Sequence, residues 1–167
     1  GMNYIEIKNI DKSSYYLKKS ISINDKFVPS LINLANNYSY QERYNEAIKL
    51  FNDAKSLDKN NSLIFYNLGN LFEKIKQFDN AIESFETAIN LKKDFYQAHS
   101  NLGTIYKNNK QNDEKAIYHF DQAILYNKDF DDAWSNKSSF LEETGNLDDA
   151  LKCVQMAVKI NPSNYDA

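Results

Sequence analysis

Glycine, proline and cysteine are scarce in this chain of 167 residues, which has four glycines, two prolines and one cysteine. β-Sandwiches and barrels need turn residues every few positions, so the scarcity of glycine and proline argues against both folds. A single cysteine excludes an internal disulfide framework and a zinc module built on several cysteines. The sequence also lacks an apolar run of about 18 residues and a secretion signal. We therefore expect no membrane span and a cytoplasmic or nuclear location.

The two signs of charge nearly balance, with 20 Lys and Arg residues against 23 Asp and Glu residues and a formal net charge of −3. The sequence thus lacks the excess of basic residues that is typical of nucleic-acid binding, and we expect no nucleic-acid partner. Asparagine is frequent, with 23 occurrences. Because asparagine is frequent, its number alone does not indicate a function, and only its placement along the repeats is informative.

A repeat of 34 or 35 residues runs through the chain and predicts its architecture. Ala47, Ala81, Ala116 and Ala150 follow one another at spacings of 34, 35 and 34 residues. Five further columns share this spacing and hold mostly small, aliphatic or aromatic residues: Ala54, Ala88, Ala123 and Ala157; Phe51, Phe85, Phe120 and Val154; Tyr38, Phe72, Tyr106 and Leu141; Leu34, Leu68, Leu102 and Lys137; and Ala35, Gly69, Gly103 and Ser138. Periods of this length are typical of solenoid proteins.

Each unit is predicted to form two amphipathic helices joined by a short turn. Over residues 62–75 and again over 79–92, apolar residues recur at the i, i+3, i+4 and i+7 spacing of one helical face. Small residues in the alanine columns let the paired helices approach closely, while the aromatic column fills the space beside them. This 34-residue helix-turn-helix pattern resembles the tetratricopeptide repeat, with Leu68-Gly69 followed by Phe72, Ala81, Phe85 and Ala88. This resemblance covers essentially the whole chain.

The resemblance implies an all-α fold, a right-handed α-solenoid of helix-turn-helix repeats. Residues 1–167 then form a single array with a partial repeat over 2–27, repeats over 28–61, 62–95, 96–130 and 131–164, and the start of a further repeat over 165–167. The sequence departs from the family pattern in two places. Lys137 replaces an apolar residue, and the turn within 107–115 is one residue longer.

Both ends of the sequence are also repeat sequence, which predicts a fragment of a longer solenoid. The register predicts the tail of a first helix over 2–9 and its partner helix over 11–24. Terminal repeats of solenoids normally carry a polar cap, whereas the last second helix, over 148–160, has apolar residues around its circumference. We therefore expect end-to-end self-association through uncapped terminal repeats.

Few residues could carry catalysis or bind a metal. His99 and His119 are the only histidines and fall on different predicted helices, His99 in a packing column and His119 on an outer face. We expect Cys153 to be a half-buried, inert thiol. A glycine-rich phosphate loop and the spacing of a calcium-binding loop are both missing from the sequence. The sequence therefore predicts no enzyme activity, no catalytic residue, no metal site and no cofactor.

The first helices of stacked repeats line a concave surface, and one column on that predicted surface holds asparagine in four successive repeats. These residues are Asn33, Asn67, Asn101 and Asn136, each two positions before the small-residue column. Because a side-chain amide both donates and accepts hydrogen bonds, such a ladder could bind the backbone of an extended peptide. The column resembles the asparagine ladder of the superhelical repeats in the O-linked N-acetylglucosamine transferase group. The alternative is that asparagine is a common preference at this position, with no bound ligand.

Other side chains give the predicted groove a character that changes along the chain. The further predicted peptide-binding residues are Asn36, Asn70, Tyr40, Tyr66, Leu63 and Thr104. The N-terminal part of the predicted groove is apolar and aromatic, with Ile32, Asn36, Tyr40, Leu63, Tyr66 and Asn70. The middle part is neutral and polar, with Ser100, Thr104, Lys107 and Asn108. The C-terminal part is acidic and polar, with Asp132, Ser135, Ser139, Glu142 and Glu143. A partner should therefore place apolar groups early and basic groups late. Because the first helices carry no basic clamp, the acidic C-terminal tails of heat-shock chaperones are not expected to bind.

These observations predict a non-catalytic protein–protein interaction scaffold that binds an extended peptide in its concave groove. Two alternatives stay open: the substrate-recruiting arm of a larger enzyme such as a glycosyltransferase, and a structural spacer in a multisubunit assembly. The full-length open reading frame distinguishes them. A catalytic domain would favour the recruiting arm, and further repeats alone would favour the scaffold or the spacer.

Overall fold

Nine α-helices and one short 3-10 helix make up the described part of the chain. The computed structural model describes residues 4–164, with side chains described over residues 9–163, and that range contains no strand. The helices are α1 (Tyr4–Ile23), α2 (Val28–Tyr40), α3 (Tyr44–Leu57), α4 (Ser62–Lys74), α5 (Phe78–Leu91), α6 (Tyr96–Asn108), α7 (Asp113–Tyr126), α8 (Asp131–Glu143) and α9 (Leu147–Ile160), followed by the 3-10 helix Pro162–Asn164. Among these helices, none is long and apolar enough to cross a membrane.

Tight loops join the first and second helix of each repeat. α2 packs on α3, α6 on α7, and α8 on α9. The loops over 41–43, 75–77 and 144–146 have three residues, and the loop over 109–112 has four. In every one of them the second-to-last residue has a positive φ: Glu42 (62°), Lys76 (61°), Gln111 (47°) and Gly145 (81°). The extra residue of the longer loop therefore lies before this left-handed position. The last two loop residues before α7 correspond to those of the other loops.

Local sequence signals set several helix starts. Pro29 lies in the first turn of α2, where its missing N–H costs no helical hydrogen bond. The side chain of Asn61 accepts from the backbone N–H of Leu63 at 3.2 Å before α4, and that of Asn112 accepts from the N–H of Lys115 at 2.9 Å before α7. These side chains satisfy amide groups that have no partner within the helix.

The chain divides into two compact units, Gly1–Ser84 and Phe85–Ala167. In the first unit the alanine and phenylalanine columns form the centre of the core, since Ala47, Phe51 and Ala54 have no exposed surface. Leu17 and Ile21 of α1 are partly buried and pack against this core. The apolar periodicity therefore predicts the centre of this core correctly.

In the second unit the small-residue column allows close contact between paired helices. A Cβ atom on Gly103 would lie 2.5 Å from Cε1 of Phe120, whose ring is fully buried. In the next repeat the same column holds Ser138, which is buried and donates from Oγ to the backbone carbonyl of Ala150 at 3.0 Å. Glycine and serine fit here because neither side chain separates the two helices.

The predicted helix break near the N-terminus is wrong. The register predicts a first helix over 2–9 and a second over 11–24, but α1 runs without interruption from Tyr4 to Ile23. A helix of two turns is unstable by itself because nucleation is costly, whereas each residue added to an existing helix gains a backbone hydrogen bond. The segment also contains no glycine or proline after Gly1 that would stop such growth. The predicted start of a further repeat at 165–167 lies outside the described residues.

Candidate functional site

The first helices of neighbouring repeats lie side by side within each unit. α2 contacts α4 in the first unit, and α6 contacts α8 in the second. Because the helices share one sequence register, equivalent side chains occupy matching places on each surface. We call these the α2/α4 surface and the α6/α8 surface.

The α2/α4 surface carries exposed and half-buried amides among apolar groups. Asn33 is exposed, and Asn67 of the next repeat is half-buried. Asn36, Asn70 and Tyr66 are half-buried as well. Two large side chains, Tyr40 (59% exposed) and Leu63 (47% exposed), add apolar area to the surface. This surface thus offers both hydrogen-bonding amides and apolar contact.

Ile32 is a wrong prediction for this surface. Its side chain is only 5% exposed and belongs to the core of the first unit. One residue along a helix turns the side chain by about 100°, so a position next to Asn33 can face inward.

A lysine braces the ends of α2 and α4. Lys74 donates from Nζ to the backbone carbonyl of Ser39 at 2.9 Å. The same ammonium lies 5.7 Å from the ring centre of Tyr40 and 5.6 Å from that of Tyr44. Lys74 therefore contacts a carbonyl and two aromatic rings.

A carboxylate on α4 was missed by the sequence analysis. Glu73 is half-buried, and burial raises the pKa of its carboxyl group. It lies three residues after Asn70 and seven after Tyr66, which is the spacing of one helical face. That spacing could have identified it. A basic group of a bound partner would offset the cost of burying this charge.

The α6/α8 surface is organised around a buried serine. Ser100, predicted to line the groove, is only 2% exposed, so that prediction is wrong. Asn136 of α8 donates from Nδ2 to Ser100 Oγ at 3.2 Å, and Thr104 donates from Oγ1 to the Ser100 carbonyl at 3.2 Å. Asn101 is half-buried on the same helix and has a polar interaction of its own. The asparagine column thus contributes to helix packing in this unit.

An ion pair links α6 to α8 further along. Lys107 Nζ lies 2.8 Å from Glu143 Oε1 and donates to Ser139 Oγ at 2.8 Å. The lysine side chain is 12% exposed and the glutamate side chain 63% exposed. Glu142, next to Glu143 at the end of α8, is exposed as well, whereas Asp132 is exposed at the start of the same helix. The lysine is therefore neutralised, and the end of α8 remains acidic.

The two histidines form a pair, so the prediction that His119 lies on an outer face is wrong. His99 Nδ1 and His119 Nδ1 lie 3.0 Å apart, and His119 stacks on Tyr106 with ring centres 5.6 Å apart. Burial, with smaller effects from the charges of His99 and Lys115, lowers the pKa of His119 to about 4. Burial also lowers the pKa of His99. Both imidazoles are neutral at pH 7 and act as packing groups.

Chemistry elsewhere is limited. Cys153 is a buried free cysteine, and burial raises the pKa of its thiol, which disfavours the nucleophilic thiolate. Across the described residues, no three His, Cys, Asp or Glu side chains lie close enough together to hold a metal ion.

The helix pairs, their close packing at small residues and their period define an α-solenoid repeat protein. Models of the tetratricopeptide repeat match residues 28–61, 62–95 and 131–164, which together span more than half of the chain. The chain therefore belongs to the tetratricopeptide repeat family. No curated protein sequence matches it.

Solved structures of other repeat proteins share the fold. The crystal structure of MamA aligns with a TM-score of 0.78 and 22% identity, covering 100% of this chain and 99% of that one. YrrB, described as a tetratricopeptide repeat protein with an unusual peptide-binding site, aligns with a TM-score of 0.70 and 21% identity, covering 96% and 82%. The APC/C hetero-tetramer Cut9–Hcn1 aligns with a TM-score of 0.81 and 20% identity, covering 95% of this chain and 32% of that one. At these identities the likeness concerns the fold.

Proposed function

We propose that this chain is a non-catalytic protein-interaction scaffold whose first helices bind an extended peptide. The observation that carries the proposal is the α2/α4 surface, where asparagine amides lie among exposed apolar side chains. Membership of a repeat family that builds extended binding surfaces supports it. An amide pairs with both N–H and C=O of a peptide backbone, so recognition by these residues depends little on the partner's sequence.

Side chains around the amides determine which side chains of a bound peptide are preferred. On the α2/α4 surface, Tyr40 and Leu63 suit an apolar or aromatic group, and the half-buried Glu73 suits a basic one. On the α6/α8 surface, the acidic end of α8 suits a basic group. Glu73 and the exposed glutamates at the end of α8 would repel an acidic peptide, so acidic tails are poor candidates for a partner.

The likeness of the asparagine column to the transferase arm remains part of this proposal. In that role the chain would present an extended substrate segment to an attached catalytic domain. A cytoplasmic or nuclear location fits both roles.

Backbone recognition is tested with labelled 15-residue peptides that combine aromatic and lysine residues. Binding is measured by fluorescence anisotropy for the parent and for Asn67→Ala. Loss of one neutral hydrogen-bonding partner costs on the order of 1 kcal/mol, which weakens binding roughly fivefold. Methylating alternate backbone nitrogens of the peptide should weaken binding similarly, because it removes donors and leaves the side chains intact.

Asn52→Ala is the matched control, since Asn52 is an exposed asparagine on the second helix α3. It should bind like the parent. Equal binding by Asn67→Ala and the parent, or full binding of the methylated peptide, would contradict the proposal.

We also propose that one copy of the chain associates with another through α9. Its outer face carries a stripe of exposed residues four and three positions apart: Leu147 (64%), Leu151 (58%), Val154 (39%) and Val158 (36%). Phe51 of α3 and Phe120 of α7 occupy the same repeat position as Val154, and both are fully buried. α3 and α7 are each followed by a first helix that packs against them. A second copy would provide such a cover for α9.

Sedimentation velocity over a range of concentrations tests the association. The parent should form dimers at high concentration, and Leu151→Glu should remain monomeric. Glu in place of the exposed Leu125 on α7 is the matched control and should associate like the parent. A monomeric parent at every concentration would contradict this part of the proposal.

A further inference from the structure

A cavity of about 440 Å³ lies among α7, α8 and α9 in the second unit. Its apolar wall consists of Ile117, Trp134, Leu141 and the sulfur of Cys153. The indole of Trp134 is fixed, because Nε1 donates to the backbone carbonyl of Lys128 at 2.9 Å. The volume falls within the range of about 300–1,000 Å³ that is typical of small-ligand sites. It exceeds the space that a single side chain requires.

The preceding repeat shows what occupies the same place when it is filled. A shift of 34 residues relates Cys153 to His119, and a shift of 35 relates Trp134 to His99 and Leu141 to Tyr106. There the imidazole of His119 lies against both partners, 3.0 Å from His99 between Nδ1 atoms and stacked on Tyr106 with an interplanar angle of 5°. A thiol replaces this ring in the last repeat. The cavity therefore lies at the position that the His119 ring occupies in the preceding repeat.

Two lysines line the cavity, and each lies in an ion pair with an aspartate. Lys137 stands where the other repeats have leucine, and its Nζ lies 2.6 Å from Asp121 Oδ1. At the mouth, Lys152 Nζ lies 2.7 Å from Asp149 Oδ1. Lys137, Lys152 and Asp149 line the cavity, whereas Asp121 does not. Each lysine of the lining is therefore paired with an aspartate, and the two ion pairs balance in charge.

Each ammonium retains the capacity to bind an anion. A lysine ammonium has three N–H donors, so one carboxylate oxygen does not use all of them. Lys137 is 21% exposed, so a ligand carboxylate beside it would be partly shielded from water, where charge-assisted hydrogen bonds are stronger.

We propose that this cavity binds a small aromatic carboxylate, with its ring between Trp134 and Leu141 and its carboxylate on Lys137 and Lys152. The ring takes the place that His119 fills in the preceding repeat. Cys153 completes the apolar wall as a neutral thiol, and sulfur packs favourably on aromatic rings. This site is separate from the α2/α4 and α6/α8 surfaces, because second helices supply part of its wall. It gives a function to the departure of Lys137 from the family pattern.

The probe is 4-fluorophenylacetate, followed by fluorine NMR and by the fluorescence of Trp134, the only tryptophan in the chain. Two relatives of the probe separate the contributions to binding: 4-fluorophenylacetamide has no carboxylate, and cyclohexylacetate has no aromatic ring. The acid should bind roughly tenfold more tightly than either relative. Equal binding of all three, or no binding of the acid at millimolar concentration, would overturn the proposal.

Two variants locate the site. Cys153→His restores the side chain of the preceding repeat and should abolish binding by filling the cavity. Lys137→Met removes the ammonium at similar length and should weaken binding of the acid about tenfold, to the level of the amide. Lys159→Met, which changes an exposed lysine of α9 outside the cavity, should bind like the parent. Unchanged affinity in Lys137→Met contradicts the assignment even if Cys153→His fails to fold.

A peptide ending in phenylalanine with a free carboxyl group offers the same ring and carboxylate from another source. Tighter binding of this peptide than of the free acid would assign the cavity to a chain terminus. Tighter binding of the free acid would assign it to a metabolite-sized ligand. Both outcomes support an aromatic carboxylate in the cavity.

Discussion

His99 Nδ1 and His119 Nδ1 lie 3.0 Å apart between α6 and α7. At this separation one nitrogen donates and the other accepts, so both cannot carry a proton. Tyr126 stacks on His99, with ring centres 5.6 Å apart, and Tyr106 stacks on His119. The pair is thus a polar contact enclosed by aromatic rings, and acidification should break it.

Unfolding of the second unit should therefore depend on pH. The pKa of His119 is lowered to about 4 in the folded protein, against an ordinary value of about 6.5 when unfolded. The unfolded chain binds protons first, so stability is full above pH 6.5 and is lost as the pH falls toward 4. The loss should be on the order of 2 kcal/mol, less than the full shift because the ring is partly exposed. Urea unfolding followed by Trp134 fluorescence measures it.

The variant His119→Phe separates this effect from carboxylate titration. Phenylalanine retains the stacked ring without the titratable nitrogen. The free energy of unfolding of this variant should fall less between pH 7 and pH 4.5 than that of the parent. The same slope in both proteins would show that the pair does not control acid stability.

Gly103→Ala should destabilise the second unit by roughly 1–3 kcal/mol. The added methyl would lie 2.5–3.0 Å from three ring atoms of Phe120, which is fully buried. Helix propensity alone predicts the opposite sign, because alanine is favoured over glycine by about 1 kcal/mol. Chemical denaturation decides between the two effects. Adding Phe120→Leu to Gly103→Ala should recover part of the loss if the clash is its cause.

Lys76→Gly should stabilise the first unit by about 0.5 kcal/mol. Lys76 has a φ of 61°. This left-handed conformation is strained for a residue that has a Cβ atom, whereas glycine adopts it without strain. The greater freedom of glycine in the unfolded chain offsets part of the gain. Thermal and urea unfolding give the difference.

Gly145→Ala is the complementary change at the same loop position. Gly145 has a φ of 81°, and an added Cβ would meet no atom within 4 Å. Backbone strain alone should therefore lower stability by about 1 kcal/mol. A gain in stability for this variant would contradict the account of the loops.

Asn112→Ala should cost about 1 kcal/mol, because the side chain of Asn112 caps α7 by accepting from the N–H of Lys115. Asn108→Ala changes an exposed asparagine at the end of α6 and serves as the control. Equal stability of the two variants would argue against the cap. Circular dichroism during urea unfolding measures both.

The sequence by itself determined the fold class and the centre of the core. Residues such as Ala47, Phe51 and Phe120 recur at a fixed period, and a helix that repeats an apolar stripe can bury it only against its neighbours. The all-α repeat solenoid is therefore confirmed. The peptide-binding role of the asparagine column stays a prediction, because amide donors and acceptors serve packing and ligand binding equally well.

Tertiary structure decided how wide each buried face becomes. Ile32 and Ser100 lie beside groove positions in sequence, yet they are 5% and 2% exposed. Helical periodicity places them near the edge of the apolar stripe, and the neighbouring repeat determines whether that edge is covered. His119 was misplaced for the same reason, since its partner His99 comes from a different helix. Contacts between helices depend on side-chain size and hydrogen bonding across the interface, which a period read along one helix does not contain.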